Sequence, residues 1–296
     1  MEVTVLTPTY NRKYSLKRLY NSLIKQTEKN FEWMIVDDGS TDDTKELIDS
    51  FISEGKIKIK YIKKENGGKH RALNVGINQI KSEMTFIVDS DDYLTQDAIE
   101  TINYYYKKYK DSNNLCGYSF LRGYPDKKVN GPEYKEQEFI SDYISYRLNE
   151  NNWGDKAEVY FTKYLKEIPF IEIKGEKFLI ESYVWGKLAL KYNTLYINKI
   201  IYIGDYLEDG LTKNRKKVKV NSPKGVVEVA KVLLNKKSNL KVKCKYMIFL
   251  ISYGLIANKK TRELYNQCNY KGLFILLFPV SYAYKLYLEF VTKGGE

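Results

Sequence analysis

The sequence predicts an α/β protein, a Rossmann-like, mostly parallel sheet flanked by helices, with a C-terminal helical extension. Three observations predict it. Across residues 2–122, apolar runs of strand length alternate with stretches of helical periodicity. The loops that follow those runs are acidic or glycine-rich. Beyond Asp209-Gly210 the strand pattern stops, and lysine-rich segments of helical periodicity take over.

Val3–Thr9 is a short β-rich run, and Ser15–Lys25 then places Leu16, Leu19, Leu23 and Ile24 on one helical face. Phe31–Val36 is the next apolar run, ending in Asp-Asp-Gly-Ser-Thr-Asp-Asp, a turn before a helix near Thr41–Ile52. Ile57–Ile62 alternates apolar residues with lysine, as a half-buried edge strand does. Arg71–Ile80 reads as a helix, Met84–Val88 as a buried strand, Gln96–Tyr109 as a helix and Leu115–Leu121 as the closing strand. Alternation of this kind implies right-handed crossovers, and ligands in such sheets bind beyond the carboxyl ends of the strands. Those ends fall at Thr7–Asn11, Asp37–Ser40, Lys63–Lys69 and Asp89–Asp92. All four are polar, and two are strongly acidic.

From Gly123 to Glu176 the pattern loosens, with one strand expected at Ala157–Thr162. A helix follows at Ser182–Tyr192 and a strand at Thr194–Ile203; the tail has helical periodicity in Val226–Leu234, Tyr246–Ile256 and Leu273–Val291. The chain is therefore expected in three parts, 1–122, 123–213 and 214–296, the first two belonging to one domain.

Composition narrows the chemistry. Of 296 residues, 43% are apolar and 29% charged, which excludes global disorder. Cys116, Cys244 and Cys268 form no CxxC pair, which argues against a disulfide framework or a zinc cluster and for a reduced, cytoplasmic setting. The first residues enter a strand pattern with no basic segment before an apolar one, so no secretory signal is expected. His70 is the single histidine, which speaks against Ser-His-Asp or Cys-His catalysis.

VDSDDYL at 88–94 is the sharpest signal. Asp89, Asp91 and Asp92 follow a buried run, and packed like charges carry raised pKa values unless they share a cation. Hard divalent ions with oxygen ligands, Mn²⁺ or Mg²⁺, suit such a set. The plainer reading is a polar turn with Thr95 capping the next helix. In VDDGSTDD, Asp38-Gly39 reads as a turn and Ser40-x-x-Asp43 as a capping box. That leaves Asp37 and Asp38 unexplained at the end of a central strand, where a carboxylate could accept a uracil N–H. Asn66-Gly67-Gly68-Lys69-His70-Arg71 enters a helix, and its glycine N–H groups and basic side chains suit an anion; an ordinary glycine turn is the alternative. It matches neither a Walker A loop nor GxGxxG.

Together with Thr7-Pro8-Thr9-Tyr10-Asn11-Arg12, these three segments resemble, in order and spacing, the nucleotide-binding half of family 2 glycosyltransferases of the GT-A fold. The resemblance covers residues 2–122 strongly and extends more weakly to Asn214. It implies that Thr9, Tyr10 and Asp38, with Asp37 beside them, hold the nucleoside. It implies that Asp89, Asp91 and Asp92 bind a metal and the sugar diphosphate, and that Lys69 and Asn74 line the donor pocket. It further implies an inverting hexosyl- or N-acetylhexosaminyl-transferase that uses a nucleotide-sugar donor, expected to be UDP-linked. The acceptor would be a glycan or lipid-linked glycan in bacterial capsule, exopolysaccharide or cell-wall synthesis.

The acceptor side is sparser. Family members carry a Glu-Asp pair before a helix with an aromatic residue a turn later; here Glu181 is followed by Ser182, and Trp185 is the aromatic. Glu181 is the expected general base and Glu176 the second choice, against a helix-start glutamate that only complements the dipole. Asp209 or Thr212, in a segment resembling the family's closing loop, could touch phosphate or metal; Asp-Gly is equally a turn. The formal charge is +12, and many lysines follow residue 213 beside apolar runs that Pro279 interrupts. They suit peripheral contact with an anionic membrane at the inner face of the plasma membrane, or solvated lysines around a helical core. Three other functions bear comparison with the residues. A nucleotidyltransferase would need a glycine-rich signature that TPTYNRKYSL lacks, and a nucleic-acid-binding protein would not place acidic loops at its functional edge. A catalytically inactive relative is left open by the broken Glu-Asp pair.

Overall fold

The computed structural model describes residues 2–204 and 215–293. The chain divides into two compact units, the first from residues 2–142, 152–169 and 191–204, the second from 143–151, 170–190 and 215–293.

In the first unit the elements are β1 (Val3–Thr9), α1 (Lys13–Leu23), β2 (Phe31–Asp37), α2 (Thr44–Glu54), β3 (Lys58–Lys63), α3 (Lys69–Gln79) and β4 (Met84–Ile87). These are followed by β5 (Tyr93–Leu94), α4 (Ala98–Tyr109), β6 (Leu115–Gly123), β7 (Glu138–Ser141), β8 (Lys156–Phe161), α5 (Thr162–Glu167) and β9 (Asn193–Ile203). They form one nine-stranded sheet in the order β3-β2-β1-β4-β8-β6-β9-β5, with β7 paired to β9. β1 to β4 are mutually parallel, as the alternation with helices requires. Beyond them the sheet is mixed: β8 runs antiparallel to both β4 and β6, so β6 and its parallel neighbour β9 point the same way as β1 to β4. No α-helix lies between β6 and β8 among the described residues, so nothing there enforces the crossover that parallel neighbours need.

β1, β2 and β4 are buried at every position. Tyr20 of α1 stacks on Phe51 of α2 at 4.0 Å, and both stack against Trp33 of β2. The indole N–H donates to the Thr7 hydroxyl at 3.0 Å, so the polar atom of this buried ring is satisfied. A Cβ at Gly76 would fall 2.3 Å from Leu6, which is why α3 can lie close on β1. β3 is the exposed edge, and its lysines occupy it as expected.

The second unit holds a π-helical turn at Ile144–Asn149, α6 (Ser182–Lys191), α7 (Arg215–Val220), α8 (Pro223–Leu233), α9 (Leu240–Ile256), α10 (Thr261–Gln267) and α11 (Lys271–Lys293). Pro223 starts α8, and the Asn239 side chain caps α9 by accepting the Val242 N–H at 2.9 Å. α9 packs against α8 and α11. Pro279 does not interrupt the last apolar run: α11 continues through it as one helix. The stretch Lys271–Thr292 is thereby long and apolar enough, by length and composition, to cross a membrane.

Candidate active site

The parallel register aligns Thr9 with Asp37 and Asp37 with Lys63, so the loops after β1, β2 and β3 leave the same edge of the sheet. The Asp38 N–H donates to the Thr9 carbonyl at 2.8 Å, and the Lys64 N–H to the Asp37 carbonyl at 2.9 Å. β1 lies between β2 and β4, so the strand order reverses there, at the point where open α/β sheets bind ligands. Tyr10, at the end of β1, is 46% exposed, free to face a flat ligand. The Thr9 hydroxyl is buried and makes no hydrogen bond among the described residues.

Asp37 and Asp38 both make hydrogen bonds within the protein. Asp37 is fully buried, accepting the Ser40 N–H at 2.7 Å on one oxygen and the Tyr61 hydroxyl at 2.7 Å on the other. Asp38 accepts Lys64 at 2.7 Å and the Gly67 N–H at 2.9 Å on one oxygen, and the Gly68 N–H at 2.6 Å and Asn66 at 3.3 Å on the other. A carboxylate has about four acceptor positions. Asp38 therefore fills its acceptor positions inside the protein, whereas the two bonds to Asp37 leave acceptor capacity on a carboxylate that is itself buried. The glycine N–H groups ahead of α3 do hold an anion, but it is Asp38 itself. Ser40 forms no capping box either; its hydroxyl accepts the Asn11 N–H at 2.9 Å, and Asn11 accepts the Thr41 N–H at 2.8 Å. Gly39, at a φ of 86°, lets the Asn66 backbone approach where a Cβ would meet its nitrogen at 2.8 Å.

The acidic turn follows β4. Asp89, Asp91 and Asp92 each place a carboxylate oxygen within 4.8 Å of the others. Asp89 pairs with Lys69, the first residue of α3, at 2.6 Å, which joins the acidic turn to the glycine loop. Arg18 donates to the Asp91 carbonyl. Burial, and after it the charge of Asp89, holds the Asp91 carboxyl above the usual carboxylate range. A divalent cation would relieve that cost, so the oxygen donors of Asp89 and Asp91 fit Mn²⁺ or Mg²⁺.

Asp92 is committed elsewhere. Arg122 of β6 approaches both of its oxygens at 3.0 and 3.2 Å, and the Tyr202 hydroxyl of β9 donates to it at 2.6 Å. The Asp92 residue is 3% exposed. Burial pushes its pKa up to about 6, against the pull of Arg122. Asp92 thus anchors the turn through Arg122 and Tyr202, while its carboxylate still lies within the acidic cluster. The Tyr202 hydroxyl also accepts the Asp89 N–H at 3.0 Å. Gly204 completes the arrangement, since a Cβ there would lie 2.0 Å from the Asp92 carboxylate and 2.1 Å from Arg122. Sequence reading missed Arg122, Tyr202 and Lys64. One signal existed: an arginine inside a buried, otherwise apolar strand needs an acid. Thr95 donates to Asp97 at 2.7 Å and caps no helix through its side chain.

Asn74 lies on α3, one turn beyond Lys69, and is partly buried. Glu176 and Glu181 belong to the second unit. Glu176 is buried, and its two oxygens accept the Lys224 N–H at 2.8 Å and the Gly225 N–H at 2.7 Å. It anchors the N-terminus of α8, where the helix dipole favours an anion, so the structure gives it a structural role in place of the second-choice base. Glu181 stands just before α6, partly buried, its carbonyl accepting the Val184 N–H at 3.0 Å. Trp185, a turn later, is buried edge-on against Phe170. Asp209 and Thr212 lie outside the described residues.

A family model described as glycosyl transferase family 2 matches residues 4–162. Glycosyltransferase GlyA of Streptococcus pneumoniae is 30% identical over 218 residues, which cover 68% of this chain but 30% of GlyA. The chain therefore spans less than a third of that relative. The GalNAc(5)-diNAcBac-PP-undecaprenol beta-1,3-glucosyltransferase of Campylobacter jejuni is 26% identical over 290 residues, 93% of this chain and 89% of that protein. Among solved structures, S. aureus TarS 1–349 in complex with UDP superposes with a TM-score of 0.64 at 21% identity, covering 99% of this chain and 92% of that one. The likeness establishes a shared fold.

Proposed function

Because the chain belongs to glycosyltransferase family 2 and has the GT-A fold, we propose that it moves a sugar, with inversion, from a nucleotide-diphosphate donor to a hydroxyl of a glycan or lipid-linked glycan. The observation that carries this reading is the meeting of Asp89, Asp91 and Lys69 at the edge where the strand order reverses. Two carboxylates and one ammonium there suit a metal-bound diphosphate, and the exposed Tyr10 beside a buried, unbonded Thr9 hydroxyl suits a nucleoside. UDP is the favoured nucleotide, since the TarS structure that shares the fold holds it. The Campylobacter relative's name specifies an undecaprenol-linked acceptor, which favours a lipid-linked glycan and action at the cytoplasmic face of a membrane.

Each residue then has a task. Asp89 and Asp91 would hold Mn²⁺ or Mg²⁺, which when bound offsets charge on the leaving diphosphate. Lys69 adds a positive charge beside the same oxygens. Asp38 fixes the loop that presents Lys69, and Asp92, through Arg122 and Tyr202, fixes the turn that presents Asp89 and Asp91. Glu181 is the proposed base. The acceptor oxygen bonds to the anomeric carbon as the bond from that carbon to the diphosphate oxygen breaks, and the acceptor proton passes to the Glu181 carboxylate.

The test is hydrolysis and transfer screened across UDP- and GDP-sugars, with and without Mn²⁺, for the intact chain and for Asp91→Ala. Turnover with a UDP-sugar that needs the metal and disappears in the variant is expected. Turnover that ignores both changes would overturn the reading.

A further inference from the structure

From Ile275 to Val291 the exposed face of α11 carries no charge. Ile275, Leu276, Val280, Leu286, Tyr287 and Phe290 recur three, four, six and seven residues apart, and they are between 45% and 77% exposed. The opposite face, with Phe274, Ser281 and Leu288, is buried, and the Ser252 hydroxyl of α9 donates to the Ser281 carbonyl at 2.8 Å. The two charges within the run, Lys285 and Glu289, are only partly exposed and pair with each other at 2.8 Å. A helix on the surface of a soluble domain turns its polar face outward, and this one does the reverse. An apolar cleft of about 540 Å³ between α10 and α11, lined by Tyr265, Phe274 and Phe278 with Arg262, adjoins the same face.

The charge around that face decides what covers it. Residues 215–296 hold 17 of the 49 Lys and Arg but 4 of the 37 Asp and Glu, so the rest of the chain is close to neutral. On α7, Arg215, Lys216 and Lys217 are exposed, and Lys216 donates to the Tyr287 hydroxyl of α11 at 2.7 Å. The basic helix therefore borders the apolar face directly. Two copies facing each other through it would bring two strongly cationic surfaces together, which disfavours self-association.

We propose that this face is a docking surface for an anionic lipid bilayer. α11 lies along the interface with its apolar side chains among the acyl chains, and the basic residues of α7 rest on the headgroups. Because α9 covers its other side, α11 binds along its length and does not span. The inference stands apart from the catalytic reading, since it uses none of the donor-site residues.

The experiment is co-sedimentation of the full chain with phosphatidylglycerol-containing vesicles and with pure phosphatidylcholine vesicles, at low and high salt. Binding is expected to the anionic vesicles and to weaken with salt. Leu276→Glu/Phe290→Glu, both at highly exposed positions, should reduce it by on the order of tenfold or more while circular dichroism and donor hydrolysis stay unchanged. Equal binding by this variant, equal binding to both vesicle types, or no binding by the parent chain would overturn the proposal. So would a parent chain that is a dimer by analytical ultracentrifugation and a variant that is a monomer, because the occupant would then be a second copy. Failure here would leave metal-dependent donor hydrolysis untouched, which keeps the two readings separable.

Discussion

The Tyr202 hydroxyl donates to the Asp92 carboxylate at 2.6 Å and accepts the Asp89 amide at 3.0 Å, so one side chain of β9 holds both ends of the acidic turn. Burial, and then the charge of Asp92, keep this phenol protonated far above its ordinary pKa. Tyr202→Phe is therefore expected to leave a buried acceptor and a backbone N–H without their partner, at a cost of about 1–3 kcal/mol. Urea unfolding would measure that loss. Mn²⁺ titration of donor hydrolysis should also show a raised metal requirement, because Asp89 loses its fixed position.

Arg122→Met should be more damaging than the loss of one hydrogen bond. It strands a buried carboxylate, and breaking one side of such a pair costs roughly 3–5 kcal/mol. Adding Asp92→Asn to it should recover part of the loss, since the stranded charge is gone. A double-mutant cycle by chemical denaturation checks this, and additive effects would contradict the coupling seen in the geometry.

Asp38→Ala should spare the fold and damage the donor side. The Gly67 and Gly68 amides and Lys64 lose their common acceptor, so the loop ahead of Lys69 is released. UDP affinity by calorimetry is expected to fall by roughly tenfold or more, about 1.4 kcal/mol or greater. A stability change larger than the affinity change would point to a core role for Asp38.

The two glutamates of the second unit should separate cleanly. Glu176→Gln weakens a helix-terminal anchor and is expected to cost about 1 kcal/mol of stability, with the pH profile of transfer unaltered. Glu181→Gln should abolish transfer while UDP binding by calorimetry persists. If Glu181→Gln transfers normally, the base lies elsewhere.

How far the sequence revealed this molecule depends on which physical signal each element carries. α1 to α4 were readable because burial on one face writes a period into the residues, β3 because an edge strand alternates, and β1, β2 and β4 because burial on both faces writes a short apolar run. β5 and β7, at two and four residues, are too short to write one. The antiparallel run of β8 is set by its neighbours and leaves no local trace. Pro279 suggested an interruption that α11 does not make. At the site, residue type picked out acids that the fold brings to one turn, but could not say what each one touches. Asp37, Asp38 and Asp92 looked like ligand-binding carboxylates, and their partners Tyr61, Gly68 and Arg122 are separated from them by 24 to 30 positions. Of those partners only Arg122 carried a local signal, a charge at the end of an apolar run, and with the strand expected to end at Leu121 it went unread.

The ring of donors around Asp38 has a further consequence, one of timing. Holding the backbone of a single residue in one conformation costs about 1–2 kcal/mol of entropy, so ordering the five residues Lys64–Gly68 costs roughly 5–10 kcal/mol. With Asp38 in place, that ordering is complete when the chain folds. A ligand arriving beside Lys69 meets a wall already built, and what it gains in contact goes into affinity instead of into arranging the loop.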